Sequence, residues 1–194
     1  MITFRSVVPS RDSQNINTWR SDPRIANVSR TKFTNTVKQQ EEYLERKSND
    51  VNWVHWIICV NNKDIGYVNF SMLLRSTSAI SWGFYIGDDD YLGLGAVVAA
   101  SFYNLIFSKT NVLVIQAEVL GHNHRVRDMH LKMGYVIKRV HLNIETHNMR
   151  STSEVEMLLE KDTWKSPRNP LGRMSFSFET PIHSQLWKSI ATDD

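Results

Sequence analysis

The chain has 194 residues, 41% of them apolar and 22% charged, with a formal net charge of +3 and a pI near 9.0. That length accommodates one ordinary domain with a core of its own and is short for two. The lone Cys59 excludes an internal disulfide, the scattered lysines and arginines form no basic stripe for nucleic acid, and no uninterrupted apolar stretch approaches the roughly 18 residues of a membrane span.

Met1-Ile2-Thr3-Phe4-Arg5 lacks a charged segment followed by an apolar one, so no signal peptide is expected. A reduced, cytoplasmic protein is the expectation. Ile2 to Val8 reads as a first strand. A helix follows through Ile16 and Trp19 and stops before Pro23, because proline pushes the preceding residue out of helical geometry. Thr36 to Lys47, with Val37, Tyr43 and Leu44 at helical spacing, predicts a second, mostly exposed helix.

Val54 to Val60 and Ile65 to Leu74 read as a hairpin joined by Asn61-Asn62-Lys63-Asp64. Cys59 lies inside the first of these apolar runs and reads as a small buried thiol rather than a nucleophile. Ser78 to Ile86 is a further strand, and Gly93 to Ser108 carries apolar residues at 94, 97, 98, 102, 105 and 106, one face of a helix. Asn111 to Leu120 is the continuous apolar run of a strand buried on both faces. Asn123 caps another helix, with Val126, Met129, His130 and Met133 at i, i+3, i+4 and i+7 and Gly134 closing it. Two strands, Tyr135 to Asn143 and Glu154 to Glu160, pair across a polar Thr146–Ser153 connection. Ser166-Pro167-Arg168-Asn169-Pro170-Leu171-Gly172 is breaker-rich, so residues 1–164 read as the domain and 165–194 as an appendage, partly ordered at best.

The order of elements describes an α/β domain with a mixed sheet. Its chemistry centres on the strand–loop–helix from Ala79 to Ser108, where Gly93-Leu94-Gly95-Ala96 opens a helix. Glycines there let backbone N–H groups approach an anion, and the helix dipole favours negative charge. A second helix, beginning at Asn123 straight after the next strand, completes the unit.

These residues resemble the Gcn5-related N-acetyltransferase superfamily over roughly residues 1–160. Gly93-Leu94-Gly95 matches the glycine core of its pyrophosphate loop. Asn123-His124-Arg125-Val126, with His130 and Gly134-Tyr135, matches the signature of the following helix. Asp90 stands where the family usually has Arg or Gln, and Asp88-Asp89-Asp90 are expected to point outward. Asn17-Thr18-Trp19-Arg20-Ser21-Asp22-Pro23 is similar to an element of two subgroups, the nucleotide-amino-sugar acetyltransferases and the ribosomal-protein N-terminal acetyltransferases. Val112 to Leu120 is especially like the sugar enzymes.

The resemblance implies a mostly antiparallel central sheet flanked by about four helices, with acetyl-CoA in a wedge between two central strands. It implies contacts to acetyl-CoA from Phe84, Tyr85, Ile86, Tyr91, Leu92, Gly93, Leu94, Gly95, Ala96, Asn123 and His130. Backbone N–H groups near Phe84, Tyr85 and Ile86, freed by a strand distortion, would meet the oxyanion. His130 falls where the family usually has the tyrosine that protonates the thiolate; an imidazole of ordinary pKa can do the same, and a hydrogen-bonded core histidine is the alternative. Glu118 is the candidate base, or the partner of a nearby arginine. Trp19, Arg20, Asn69 and Trp82 are candidate acceptor contacts, with an Arg20–Asp22 ion pair and a core Trp19 as the plainer reading. His122, His124 and His130 lack a completing carboxylate or cysteine, so no metal is expected. The acceptor implied is the amine of a nucleotide-linked deoxyamino sugar, against a protein N-terminus or a silent CoA-binding module; a homodimer is compatible with all three.

Overall fold

The computed structural model describes residues 1–146, 152–181 and 184–192. In chain order it runs β1 (Ile2–Ser6), α1 (Pro9–Ser21), α2 (Pro23–Ala26), α3 (Val37–Ser48), β2 (Val54–Val60), β3 (Lys63–Met72) and β4 (Ala79–Ile86). A 3-10 turn, Asp89–Leu94, leads into α4 (Gly95–Lys109), β5 (Val114–Leu120), α5 (His124–Lys132), β6 (Val136–Ile144) and β7 (Thr152–Glu160). The last elements are α6 (Lys161–Trp164), a 3-10 turn at Pro170–Arg173, β8 (Phe176–Phe178) and α7 (Gln185–Ile190). Residues 147–151 of the expected Thr146–Ser153 connection lie outside the described residues.

The strands form one eight-stranded sheet in the order β6-β7-β5-β4-β3-β2-β1-β8. Its pairs are antiparallel except β4–β5 and β1–β8. Strand alternation divides the core in two. Trp56, Ile58, Val68 and Phe70 face the side covered by α4, while Ile57, Cys59 and Tyr67 face Ile16 of α1 and Leu44 of α3. Burial pushes the Cys59 thiol up to about 12, helped by Asp64 3.2 Å from its Sγ, which removes it as a nucleophile at neutral pH.

Local chemistry explains the boundaries. Thr36 and Gln39 form a reciprocal capping box at the start of α3. Asn61 and Asn62 both take positive φ, 49° and 64°, giving β2–β3 a two-residue turn tighter than the four-residue one expected. Gly134 has φ +96° just past α5, where a side chain would be strained. Buried Asp12 receives two hydrogen bonds of 2.9 Å from the Arg5 guanidinium and one from the Val8 N–H, joining β1 to α1. Arg5 also pairs with Asp64 of β3.

Two expectations change. With the turn before it, α4 belongs to a helical run, Asp89–Lys109, that by length and composition alone is long and apolar enough to cross a membrane; here Val98–Phe107 are buried in the core of the domain. Packing also does not stop at Trp164. In the stretch set apart as an appendage, β8 extends the sheet beside β1, Leu186, Trp187 and Ile190 enter the core, and the Trp56 indole N–H donates to the Glu179 carbonyl at 3.0 Å. These elements are too short for periodicity to announce them, and long-range burial makes them.

Candidate active site

β4 and β5 pair only over Ala79–Ser81 and Val114–Gln116. Beyond that they separate, and Trp82–Ile86 and Ala117–Leu120 line the two sides of a cleft of about 440 Å³. A parallel pair split in this way leaves inward-pointing backbone N–H and C=O groups without a sheet partner. β4 keeps its register with β3 from Ile86 to Ile80 without a bulge. The distortion implied at Phe84–Ile86 is therefore absent from that ladder, and divergence of β5 frees the donors instead.

The start of α4 borders the cleft through Leu92, Gly93, Gly95 and Ala96. No side chain caps this 15-residue helix, and a Cβ added at Gly93 or Gly95 would meet nothing within 4 Å. The helix start is thus open to an anion, with dipole and N–H groups in its favour. The three aspartates before it are engaged on the surface. Lys63 Nζ sits 2.8 Å from Asp88 and 3.8 Å from Asp90, and Arg24 lies 2.6 Å from Asp89. Asp88 also caps the 3-10 turn through the Asp90 N–H. From α5, Arg125 brings a cation to the cleft.

His130 is 3% exposed and lines the cleft. Its Nδ1 is 3.2 Å from the Tyr103 hydroxyl, and its ring lies against Tyr135 and Trp82, centroids 4.6 and 6.1 Å away. Burial pushes its pKa down to about 4, so the imidazole is neutral at pH 7. The reading of His130 as a proton donor of ordinary pKa is corrected accordingly: a neutral ring offers an N–H hydrogen bond, not a spare proton.

Glu118 also lines the cleft, but its carboxylate is exposed rather than buried. Among the described residues its partner is the Gln116 side-chain amide, 3.0 Å away, and no cation pairs with it. Across β7, Glu156 stands directly opposite Glu118, and Glu154 opposite Leu120. Those two are partly answered by His141 and Arg30, each at 3.4 Å.

Of the remaining expected contacts, Phe84, Tyr85, Ile86, Asn123 and Trp82 reach the cleft. Asn123 also caps α5, accepting from the Val126 N–H at 3.4 Å. Trp82 is held in a stack between Phe84 and Phe102. The other candidates lie elsewhere. Leu94 packs into the core, and Tyr91 lies under Lys63 Nζ, 5.0 Å from the ring centroid. Trp19 packs edge-on to Tyr85 and over Gly87, where any side chain would strike its ring. The Arg20 guanidinium covers the Phe33 ring at 4.8 Å, and its expected ion pair with Asp22 is replaced by Arg24–Asp22. Asn69 sits within the β3 ladder, opposite His55 and the cleft-lining Gly83, and does not itself line the cleft.

Sequence reasoning missed Ile25, Val28 and Ser29, which line the cleft from α2 and the segment after it. Four helical residues carry no periodicity to find them by. Val126 and Met129 were legible as neighbours of His130 on one helical stripe.

A family model described as an acetyltransferase (GNAT) domain matches residues 2–136. No curated protein sequence matches the chain significantly. Among solved structures, spermidine N-acetyltransferase from Vibrio cholerae in complex with CoA and spermine is similar, with a TM-score of 0.74 at 15% identity, covering 84% of this chain and 97% of that one. Aminoglycoside acetyltransferase AAC(6')-Ib in complex with ribostamycin and coenzyme A gives 0.73 at 18% identity, covering 87% and 98%. An acetyltransferase of the GNAT family from Streptococcus pneumoniae gives 0.62 at 16%, covering 82% and 99%. At these identities the structures speak for the fold. With the family match across most of the domain, and with an anion-receptive helix start beside a split sheet, the chain belongs to the GNAT acetyltransferase family and is an acetyl-CoA-dependent N-acetyltransferase.

Proposed function

We propose that this enzyme acetylates the primary amine of a cationic small molecule, with acetyl-CoA seated across the split between β4 and β5. The observation that carries the acceptor class is Glu118, an exposed carboxylate inside the cleft with no cationic partner among the described residues, flanked across the sheet by Glu156 and Glu154. An ammonium group held beside Glu118 gains from that charge. The Trp19-Arg20 part of the case for a nucleotide-linked amino sugar is weakened, because Trp19 is packed over Gly87 and Arg20 over Phe33. The V. cholerae and ribostamycin-bound relatives bind polyamine and aminoglycoside acceptors, which are of the same cationic class.

In this reading the pyrophosphate lies at the uncapped start of α4, with Arg125 nearby. The inward N–H groups of Phe84–Ile86 donate to the thioester carbonyl as charge builds on its oxygen. Glu118 orients the acceptor ammonium and, directly or through water, takes its proton as the C–N bond forms. His130 donates a hydrogen bond to the departing sulfur, whose thiolate is then protonated from solvent.

The test is release of free CoA from acetyl-CoA in the presence of spermidine, ribostamycin, UDP- and dTDP-linked 4-amino sugars, and N-terminal peptides. Turnover with the polycations above the others is expected. Turnover confined to sugar nucleotides or to peptides contradicts the acceptor class, and acetyl-CoA binding with no turnover of any acceptor favours a silent module.

A further inference from the structure

Resting on the reading of Glu118 as the carboxylate that holds the acceptor amine, we propose that the open space over Gly83 is the acceptor's seat, and that the missing side chain there sets the size of amine the enzyme admits. Register places Gly83 in a row that crosses the sheet. His55 of β2 stands opposite Asn69 of β3, and Asn69 opposite Gly83 of β4. Ser81 and Gln116 are the last pair before the split; Gly83 and Glu118 each lie two residues further on, and Glu156 of β7 faces Glu118. Side chains of a strand alternate between faces. Trp82, Phe84, Ala117 and Val119 turn to the α4 core, so Gly83 and Glu118 share the opposite face, and both line the cleft.

A glycine inside a strand weakens it and needs a reason: a bulge, a left-handed backbone, a close approach of another backbone, or a ligand. β4 stays in register with β3 through Gly83, which removes the bulge. Gly134 is the described glycine with positive φ, so Gly83 has ordinary backbone. A Cβ at Gly83 would meet nothing within 4 Å among the described residues, so no backbone crowds it. Gly87, just past the end of β4, shows the contrast, because the room left by its missing side chain is taken by the Trp19 ring. The room at Gly83 is left to a ligand. With the pyrophosphate read at the start of α4, on the other face, the occupant on the Glu118 side is the acceptor. An amine seated there has Glu118 across the split and Asn69 beside it on β3.

Native Gly83→Cys protein is treated with N-ethylmaleimide, against wild-type protein, whose Cys59 is buried and held as a thiol. Rapid alkylation at position 83 is expected; a thiol there that stays unreacted until the protein is unfolded overturns the proposal. Gly83→Ala and Gly83→Val then read function. Their thermal midpoints should equal or exceed that of wild type, since a strand prefers a side chain to glycine. A lowered midpoint in Gly83→Ala shows the space to be filled in the folded protein and also overturns the proposal. Acetyl-CoA affinity by isothermal titration should stay within about twofold of wild type. The kcat/KM for spermidine, or for the acceptor turned over in its place, should fall at least about tenfold in Gly83→Val and less in Gly83→Ala. Undiminished kcat/KM in Gly83→Val overturns the proposal, as does an equal loss of acetyl-CoA affinity, which gives the space to the cofactor. The Glu118 reading fails separately: if Gly83→Val loses turnover of every acceptor while Glu118→Gln keeps the KM for spermidine, the seat stands and the cationic class falls.

Discussion

Ser81 of β4 and Gln116 of β5 are the last residues at which the two strands pair, and the cleft begins where they part. Backbone groups beyond that point have no ladder partner across the gap. Amides on the cleft side of Trp82–Ile86 should exchange with solvent faster than those paired to β3. Acetyl-CoA should slow them selectively. Hydrogen-exchange mass spectrometry reads this directly, and protection appearing away from β4 and the start of α4 counts against the assigned seat.

Glu118→Gln keeps the size and hydrogen-bonding shape of the side chain and removes its charge. The KM for a cationic acceptor should rise roughly tenfold, with acetyl-CoA binding unchanged. The wild-type KM should itself rise with salt, because the carboxylate is exposed. Steady-state kinetics at two ionic strengths checks both.

Stability should fall in acid as the two buried histidines are forced to take up protons. His55 and His130 are both held near pKa 4 by burial, against 6.5 for an ordinary histidine. Below 6.5 the unfolded chain takes up protons that the native protein excludes. Their contribution, on the order of 3 kcal/mol each, is fully present above pH 6.5 and lost as the pH falls towards 4. Asp12 extends the loss further down: hydrogen bonds from Arg5 and Val8 outweigh its burial and hold its pKa below the usual range, so its share disappears only at lower pH. Urea melts across pH 4 to 8 should show the histidine slope, and a flat profile would contradict it.

A chain ending at Lys165 should be markedly less stable than the full chain. It loses β8 and the buried side chains of Leu186, Trp187 and Ile190. That removes about 5 kcal/mol or more of apolar burial. Thermal melts of the two chains measure it, and equal midpoints would restore these residues to an appendage.

The parts of the site that were legible in the sequence are those encoded locally. Gly93 and Gly95 announce a helix start open to a ligand, and Asn123, Val126, Met129 and His130 announce a capped helix with one inward stripe. What stayed hidden depends on residues far apart in the chain. Nothing near His130 reveals that Tyr103 lies against its Nδ1, or that burial costs the ring its extra proton. Trp19 and Arg20 have the right chemistry for a nucleotide, yet Gly87 and Phe33 claim them. Glu118 looked buried because its strand is apolar, but the strand borders an open cleft and turns that carboxylate outward.

The central claim is that acetyl-CoA sits with its pyrophosphate at the start of α4, and Gly95 tests it most directly. Its backbone is helical, with φ −51° and ψ −44°, and a side chain there meets open space, so Gly95→Glu should leave folding intact. Isothermal titration should find one acetyl-CoA bound per wild-type chain and an affinity at least about tenfold weaker in the variant, where a carboxylate opposes the phosphates. Equal affinity in the two proteins would contradict the account.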